Sequence, residues 1–356
     1  MNRVYNYSPG PSMLPLSVLE RAQKELVGFG DTGMSVMEMS HRSKMYLSIY
    51  EKTEKSLRDL MQIPDTYAVL FLQGGATEQF SAVPLNLGVT GKADYIDSGN
   101  FAHVAAAEAA RYLAVNTVAS SREDNYTYIP DWKGKANPDA DYLHITTNNT
   151  IYGTRFTELP EGGAPLVADM SSNILSEVYD VTKFGVIYAG AQKNIGPAGL
   201  AVVIVRKDLF GRAAKICPKL MNWEKQAENQ SMINTPNTYG IYMAGLCFEW
   251  IQGLGGVSAM EKINIEKARL LYDFLDESEL FKAPAQKAYR SRMNVTFVTG
   301  SDELDDAFVK EAAKAGLVNL KGHRSVGGMR ASIYNAMPTE GVKALVTFMK
   351  DFEAKH

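Results

Sequence analysis

Lys193 stands in "YAGAQKNIGPAGLAVVIVRK", Tyr188 to Lys207, among residues too small to give it polar company. Gly190, Ala191, Gly196, Ala198 and Gly199 leave room beside the amine for something bulky and planar. The apolar run Gly199 to Val205 that comes next reads as a fully buried strand. A lysine in an ordinary strand-to-strand loop is solvated. One set against a core must be paired or put to chemical use, because burying a charged amine is costly. A desolvated lysine with a lowered pKa is the kind that forms Schiff bases with carbonyl compounds.

Asp169 ends a second buried run, "APLVADMSS". An aspartate there can cap the next helix, with Ser171 as accomplice. It can also face a ligand, since ligands of open α/β sheets bind outside the carboxyl ends of the strands. The 24 residues from Asp169 to Lys193 leave room for one connection and one strand, which sets the two at neighbouring strand ends. A carboxylate that keeps a pyridinium nitrogen protonated, with a lysine that holds an aldehyde carbon, is the arrangement used with pyridoxal phosphate. "LFLQGGATEQF", Leu70 to Phe80, adds strand, two glycines and a helix opening at Ala76-Thr77. Such a turn points backbone N–H groups and a helix dipole at an anion. It has neither a Walker lysine nor a complete GxGxxG, so its meaning comes from the other two features.

Basic residues form the last constellation. His41-Arg42 in "EMSHRSKMY" and His323-Arg324 in "KGHRSVGGMRASIY" use two of the five histidines, each directly before an arginine. Such pairs are ordinarily surface charge. Arg330, however, falls inside an expected strand after a Gly-Gly turn, where an arginine suits bidentate carboxylate recognition. A substrate with two anionic ends would use both sets.

The elements that position these residues emerge from hydrophobic pattern. "YAVLFL", "KADYID", "DYLHIT", "APLVADM", "FGVIYAG" and "GLAVVIV" read as buried strands, with amphipathic segments such as "FAHVAAAEAARYL" between them. That alternation predicts an α/β fold with a mainly parallel central sheet covered by helices. A helical stretch from Thr238 to Leu275 breaks around Gly253 to Gly256. A smaller α/β set then restarts: strand "MNVTFVT", helix Glu303 to Ala315, strand "MRASIYN" and helix Thr339 to Phe352. The division predicted is a large domain over 14–257 and a small C-terminal domain over 258–356, joined by an N-terminal arm, 1–13.

The 356 residues, 22% charged and 46% apolar with a formal net charge of -3, give no electrostatic footprint for nucleic acid. The opening "MNRVYNYSPGPSMLP" lacks the apolar core of a signal peptide, and no uncharged apolar run reaches the roughly 18 residues a membrane span needs. Two distant cysteines, Cys217 and Cys247, argue against a disulfide framework or a zinc site and for a reducing cytoplasm.

Taken together, "NYSPGPSMLP", "MEMSHRSK", "LFLQGGATEQF", "VADMSSNILS", "AGAQKNIGPAGL", "NTPNTYGIY" and "GGMRASIYNAM" resemble, in order and along the whole chain, the phosphoserine aminotransferase family. That family lies within the class-V, fold-type I pyridoxal phosphate enzymes. The resemblance implies a fold-type I transferase that moves the amino group of L-glutamate to 3-phosphohydroxypyruvate in serine biosynthesis, giving 3-phospho-L-serine. Some members also use a phosphorylated vitamin B6 precursor. It implies Lys193 as the Schiff-base lysine, Gln192 as a cofactor contact and Asp169 as partner of the pyridinium nitrogen. Ala76 and Thr77 would bind the cofactor phosphate, and Thr150 would contact the ring hydroxyl region. Asn234 and Thr235 would complete the phosphate cup from the other subunit of a homodimer with shared sites. Arg330 would hold the α-carboxylate; His41 and Arg42, with His323 and Arg324 from the partner chain, would receive the distal phosphate or carboxylate. Where the family usually stacks a tryptophan on the ring, this chain has Phe101, which keeps a π-face over less area.

Other readings share parts of this pattern. A class-V aminotransferase with alanine or serine as donor does not need the second basic cluster. A cysteine desulfurase needs a mobile nucleophilic cysteine, and neither Cys217 nor Cys247 sits in a suitable segment. From a different class, the fold could host a nucleotide-binding oxidoreductase, with Gly74-Gly75 near a dinucleotide, or a non-catalytic cofactor-binding module.

Overall fold

The computed structural model describes residues 3–356. Strand β1 (Tyr5–Asn6) lies in the N-terminal arm, and helices α1 (Leu16–Glu25) and α2 (Lys44–Met61) come after it. Then comes the alternation expected from the pattern. Strand β2 (Tyr67–Leu72) leads into α3 (Gly75–Leu87), and β3 (Lys92–Asp97) into α4 (Asn100–Ala109) and β4 (Ala114–Ser120). After β5 (Leu143–Thr146), the short pair β6 (Asn148–Asn149) and β7 (Thr154–Arg155) forms a small hairpin. Strands β8 (Leu166–Asp169), β9 (Val186–Gly190) and β10 (Ala201–Arg206) complete the sheet.

The seven-stranded order is β2-β10-β9-β8-β5-β3-β4. Strand β10 runs antiparallel to both neighbours, while the remaining pairs are parallel. Side chains alternate across the sheet, so each strand feeds two cores. Along β2, Val69 and Phe71 join the core that holds α2 and α6 (Thr238–Gly253). Ala68, Leu70 and Leu72 join the opposite one, with Phe80 and Val83 of α3 and Trp223 of α5 (Trp223–Glu228). Burial on both faces explains why these strands read as unbroken apolar runs. Strand β4 was not among the expected strands; as the edge of the sheet, much of it is exposed and its pattern is diluted.

A third core lies in the C-terminal part. It gathers α7 (Val257–Glu277), β11 (Asn294–Phe297), α8 (Asp302–Lys314), β12 (Leu317–Val318), β13 (Met329–Ser332) and α9 (Thr339–Glu353) around Phe281, Phe297, Phe308 and Phe352. Strands β11 and β13 pair antiparallel. The arm belongs to this core: β1 pairs parallel with β12, and Tyr7 is fully buried there.

Candidate active site

The parallel strands β8 and β9 are neighbours, so the ends of both point to one side of the sheet. Asp169 is the last residue of β8. Its side chain shares the face of Val167, the face that α3 and α4 cover. The chain leaves β9 at Gly190 and turns at once, which brings Lys193 beside it. Ser171 ties the two ends together: its hydroxyl accepts from Gly190 N at 3.0 Å, and its own N–H donates to Asp169 Oδ1 at 2.8 Å.

A cavity of about 570 Å³ opens above these ends. Lys193, Asp169, Gln192 and Thr150 line it, as do Ala76 and Thr77 at the start of α3 and Phe101 at the start of α4. Lys193 Nζ donates to Thr150 Oγ1 at 2.8 Å and lies 5.4 Å from the Phe101 ring centre. Burial is the main cause that pulls the Lys193 amine down from its ordinary 10.5 to about 8; the charge of Arg330 adds to this and that of Asp169 opposes it. Burial also pushes the Asp169 carboxyl up, against the hydrogen bonds from Ser171 and the charge of Lys193. Each of the pair is biased toward its neutral form in the absence of a partner.

The turn into α3 is built for an anion. Gly74 and Gly75 have φ of +84° and +70°, the left-handed region that glycine enters without steric cost. Gly74 is the N-cap and supplies no side-chain cap, so the first-turn N–H groups keep free donors where the helix faces the cavity.

Arg330, in β13, enters from the C-terminal part and is 5% exposed. One of its amine groups donates to Thr150 O at 3.3 Å, and its buried Nε has no partner. Thr146 Oγ1, in the same wall, is also buried without a partner. Orphaned polar atoms around one cavity mark where a ligand would bond.

His323 lines this same cavity of its own chain, next to Arg330, whereas the resemblance assigns it to a partner's site. Its Nδ1 accepts from Ser325 N at 3.3 Å, which leaves Nε2 to carry the proton. Burial and the neighbouring arginines Arg330 and Arg324 lower its pKa. Arg324 is exposed in the adjoining loop. Four more expected residues lie outside the cavity, as Arg324 does. His41, half-buried with its Nε2 unpartnered, and exposed Arg42 occupy the turn before α2. Asn234 and Thr235 are exposed in the segment before α6, where Thr235 O accepts from Gln73 Nε2 at 2.9 Å.

The arm's part in the site was not anticipated from sequence. Pro9 and Gly10 line the cavity, and a Cβ on Gly10 would sit 3.3 Å from Gln192 Cγ and 3.6 Å from Lys193 Cγ. Ser12 N donates to Gln192 O at 3.0 Å, and its hydroxyl donates to Lys193 O. The glycine and proline crowding of "SPGPS" was the available signal. Thr146 and Asn148 were likewise missed, although "ITTNNT" places an unusual run of polar residues at a buried strand end.

These features fit pyridoxal phosphate on chemical grounds. An aldehyde needs a weakly basic amine, a pyridine nitrogen a buried carboxylate, a phosphate an uncapped helix start and a ring an aromatic face. All four border one cavity here. Among the described residues, no group of three or more His, Cys, Asp or Glu side chains is placed to hold a metal.

The model of the class-V aminotransferase family matches residues 4–345. The chain is 55% identical to a phosphoserine aminotransferase of Bacillus cereus, with 100% of each chain covered. It also superposes on solved structures. Phosphoserine aminotransferase from Bacillus circulans subsp. alkalophilus gives a TM-score of 0.97 at 44% identity over 99% of each chain. The pyridoxal phosphate-bound phosphoserine aminotransferase of Trichomonas vaginalis gives 0.95 at 41% identity, covering 98% of this chain and 100% of that one.

Proposed function

We propose, from the premise that this chain belongs to the class-V aminotransferase family, that it carries out the phosphoserine aminotransferase reaction. It is a pyridoxal phosphate-dependent aminotransferase that moves the amino group of L-glutamate to 3-phosphohydroxypyruvate, giving 3-phospho-L-serine and 2-oxoglutarate. The observation that carries this reading is the meeting of Lys193, Asp169, the α3 N-terminus and Arg330 around one cavity.

Bound pyridoxal phosphate supplies a carbonyl that takes and returns the amino group and a ring that draws off negative charge. Ala76 and Thr77 would hold its phosphate, Asp169 its ring nitrogen, Thr150 its hydroxyl region, and Gln192 and Phe101 its ring. Arg330, with Nε free and its charge buried, is suited to a substrate α-carboxylate. Lys193, its pKa brought down to about 8, serves as the base that takes the proton from the amino acid's Cα. It returns a proton to Cα of the keto acid in the second half of the cycle.

The distal end of the substrate must be a γ-carboxylate in one half and a phosphate in the other. His323 from the cavity wall, Arg324 beside it, and His41 with Arg42 are the residues we assign to it. Within one chain His41, Arg42, Asn234 and Thr235 lie outside the cavity, which supports a homodimer whose chains complete each other's sites. The same reading treats 14–257 as the large domain and 258–356 with the arm as the small one, in keeping with a separate C-terminal core. It assigns the enzyme to the cytoplasm, in keeping with two free thiols, Cys217 and Cys247. No helix among the described residues is long and apolar enough to cross a membrane. A phosphorylated vitamin B6 precursor is a second substrate to try.

Steady-state rates with glutamate against keto acids matched in length, with and without a terminal phosphate, test the reading. We expect the phosphorylated three-carbon keto acid to lead in kcat/KM. Equal rates without the phosphate, or alanine serving as well as glutamate, would refute it.

A further inference from the structure

Lys267 plays no part in the chemistry above, yet it is 0% exposed. It lies on the face of α7 that also buries Met260, Ala268 and Leu271. Among the described residues its amine meets no carboxylate. Instead it donates to three backbone carbonyls, Ile333 O at 3.1 Å, Tyr334 O at 2.7 Å and Met337 O at 3.0 Å. Three converging acceptors need three donors, and only a protonated amine has three. Burial pulls the Lys267 pKa down to about 7, while the carbonyls favour the charged form. An apolar side chain would fill the same volume without that conflict, but it would leave three carbonyls unsatisfied.

The gripped segment, Ile333 to Met337, touches the active site from two directions. It continues directly from β13, which carries Arg330. On the other side, Asn335 N donates to Asn194 Oδ1 at 3.0 Å, and Asn194 is the residue after Lys193. Tyr334 OH donates to Pro9 O at 2.8 Å, just before the Gly10 backbone that packs on Lys193. Asn264, three residues before Lys267 on the same face of α7, adds a hydrogen bond to Asn335 Oδ1 at 2.9 Å.

We infer that Lys267 is a positioning residue of the transamination site: its ammonium fixes the Ile333–Met337 link, and the link sets Arg330 against Lys193. The kinetic part of this inference rests on the proposed function; the structural part does not.

Lys267→Met keeps the volume and removes every donor, and Lys267→Gln restores two. In the folded holoenzyme, Lys267→Met should raise KM for glutamate and lower kcat, each by about tenfold, with Lys267→Gln between it and wild type. Amide hydrogen exchange should quicken at Asn335, whose N–H is held by Asn194 Oδ1, and at Met337, whose N–H is held by Tyr334 O, without substrate present. A variant that loses only thermal stability, with KM, kcat and exchange at these amides unchanged, would show a mere core plug and overturn the inference. If Lys267→Met does not fold, Lys267→Gln carries the test, since it removes the charge and one donor while keeping two. The same split in KM and kcat supports the relay, and wild-type constants sink it. Should wild-type enzyme fail to use the phosphorylated keto acid, the functional reading falls, while the exchange experiment still decides for or against Lys267.

Discussion

At Lys193 two neighbouring charges pull in opposite directions. Asp169 holds the amine protonated and Arg330 pushes the proton off, with burial the largest influence and the balance near 8. Neutralising each neighbour should therefore move the amine in opposite senses. Asp169→Asn should take the Lys193 pKa below about 8 in the cofactor-free enzyme, and Arg330→Met should raise it. Competitive acetylation across a pH series, read by mass spectrometry, measures both; shifts of the same sign would contradict the opposing roles. The same lowered pKa gives stability a pH dependence. Between about 8 and 10.5 the unfolded chain holds a proton that the folded chain has lost, so Lys193's contribution to stability grows as pH rises through that window. The pairing of Lys193 with Asp169 was legible in the sequence because Asp169 closes one buried run and Lys193 stands in the connection between the next two. His323's place in its own chain's cavity was not, since a surface loop's path depends on tertiary packing that no local pattern encodes.

At the scale of elements, the turn from β2 into α3 combines two residues in the left-handed region with an uncapped helix start. Gly75 separates the backbone requirement from the steric one, because a Cβ added there would meet nothing within 4 Å. Gly75→Ala should cost about 1–2 kcal/mol, the ordinary penalty for an L-residue in that region. Urea unfolding of the cofactor-free protein measures it, and Gly75→Asn should recover part of the loss. No change in either variant would mean that the turn does not need this conformation. Strand positions were readable where both faces are covered: the expected "YAVLFL" and "KADYID" coincide with β2 and β3. Direction was not readable. The run that becomes β10 announces burial equally well in either orientation, and only the connection from Ala191 to Leu200, which carries Lys193, reverses it against β9. Exposed β4 lost its signal to solvent.

At the scale of the whole molecule, the site proposed needs residues that one chain leaves outside its cavity. If a partner supplies Arg42, then Lys193→Ala in one chain and Arg42→Ala in the other place both defects in the same site of a mixed dimer. One site of each hybrid should then be intact. Equal amounts of the two inactive variants, dissociated and reassembled together, should recover about one quarter of wild-type activity. No recovery would argue for sites complete within one chain, and sedimentation would check the dimer directly. The arm carries a different consequence, one of timing. Tyr5 pairs with Leu317 and Asn6 with Val318, while the residues just after them brace the turn that holds Lys193. During synthesis, then, the first strand has no partner until nearly the last has left the ribosome. The reactive amine acquires its final surroundings only when the two ends of the chain meet. An incomplete chain still carries Lys193 and Asp169 but lacks Arg330, so its site is left without the group assigned to the substrate carboxylate.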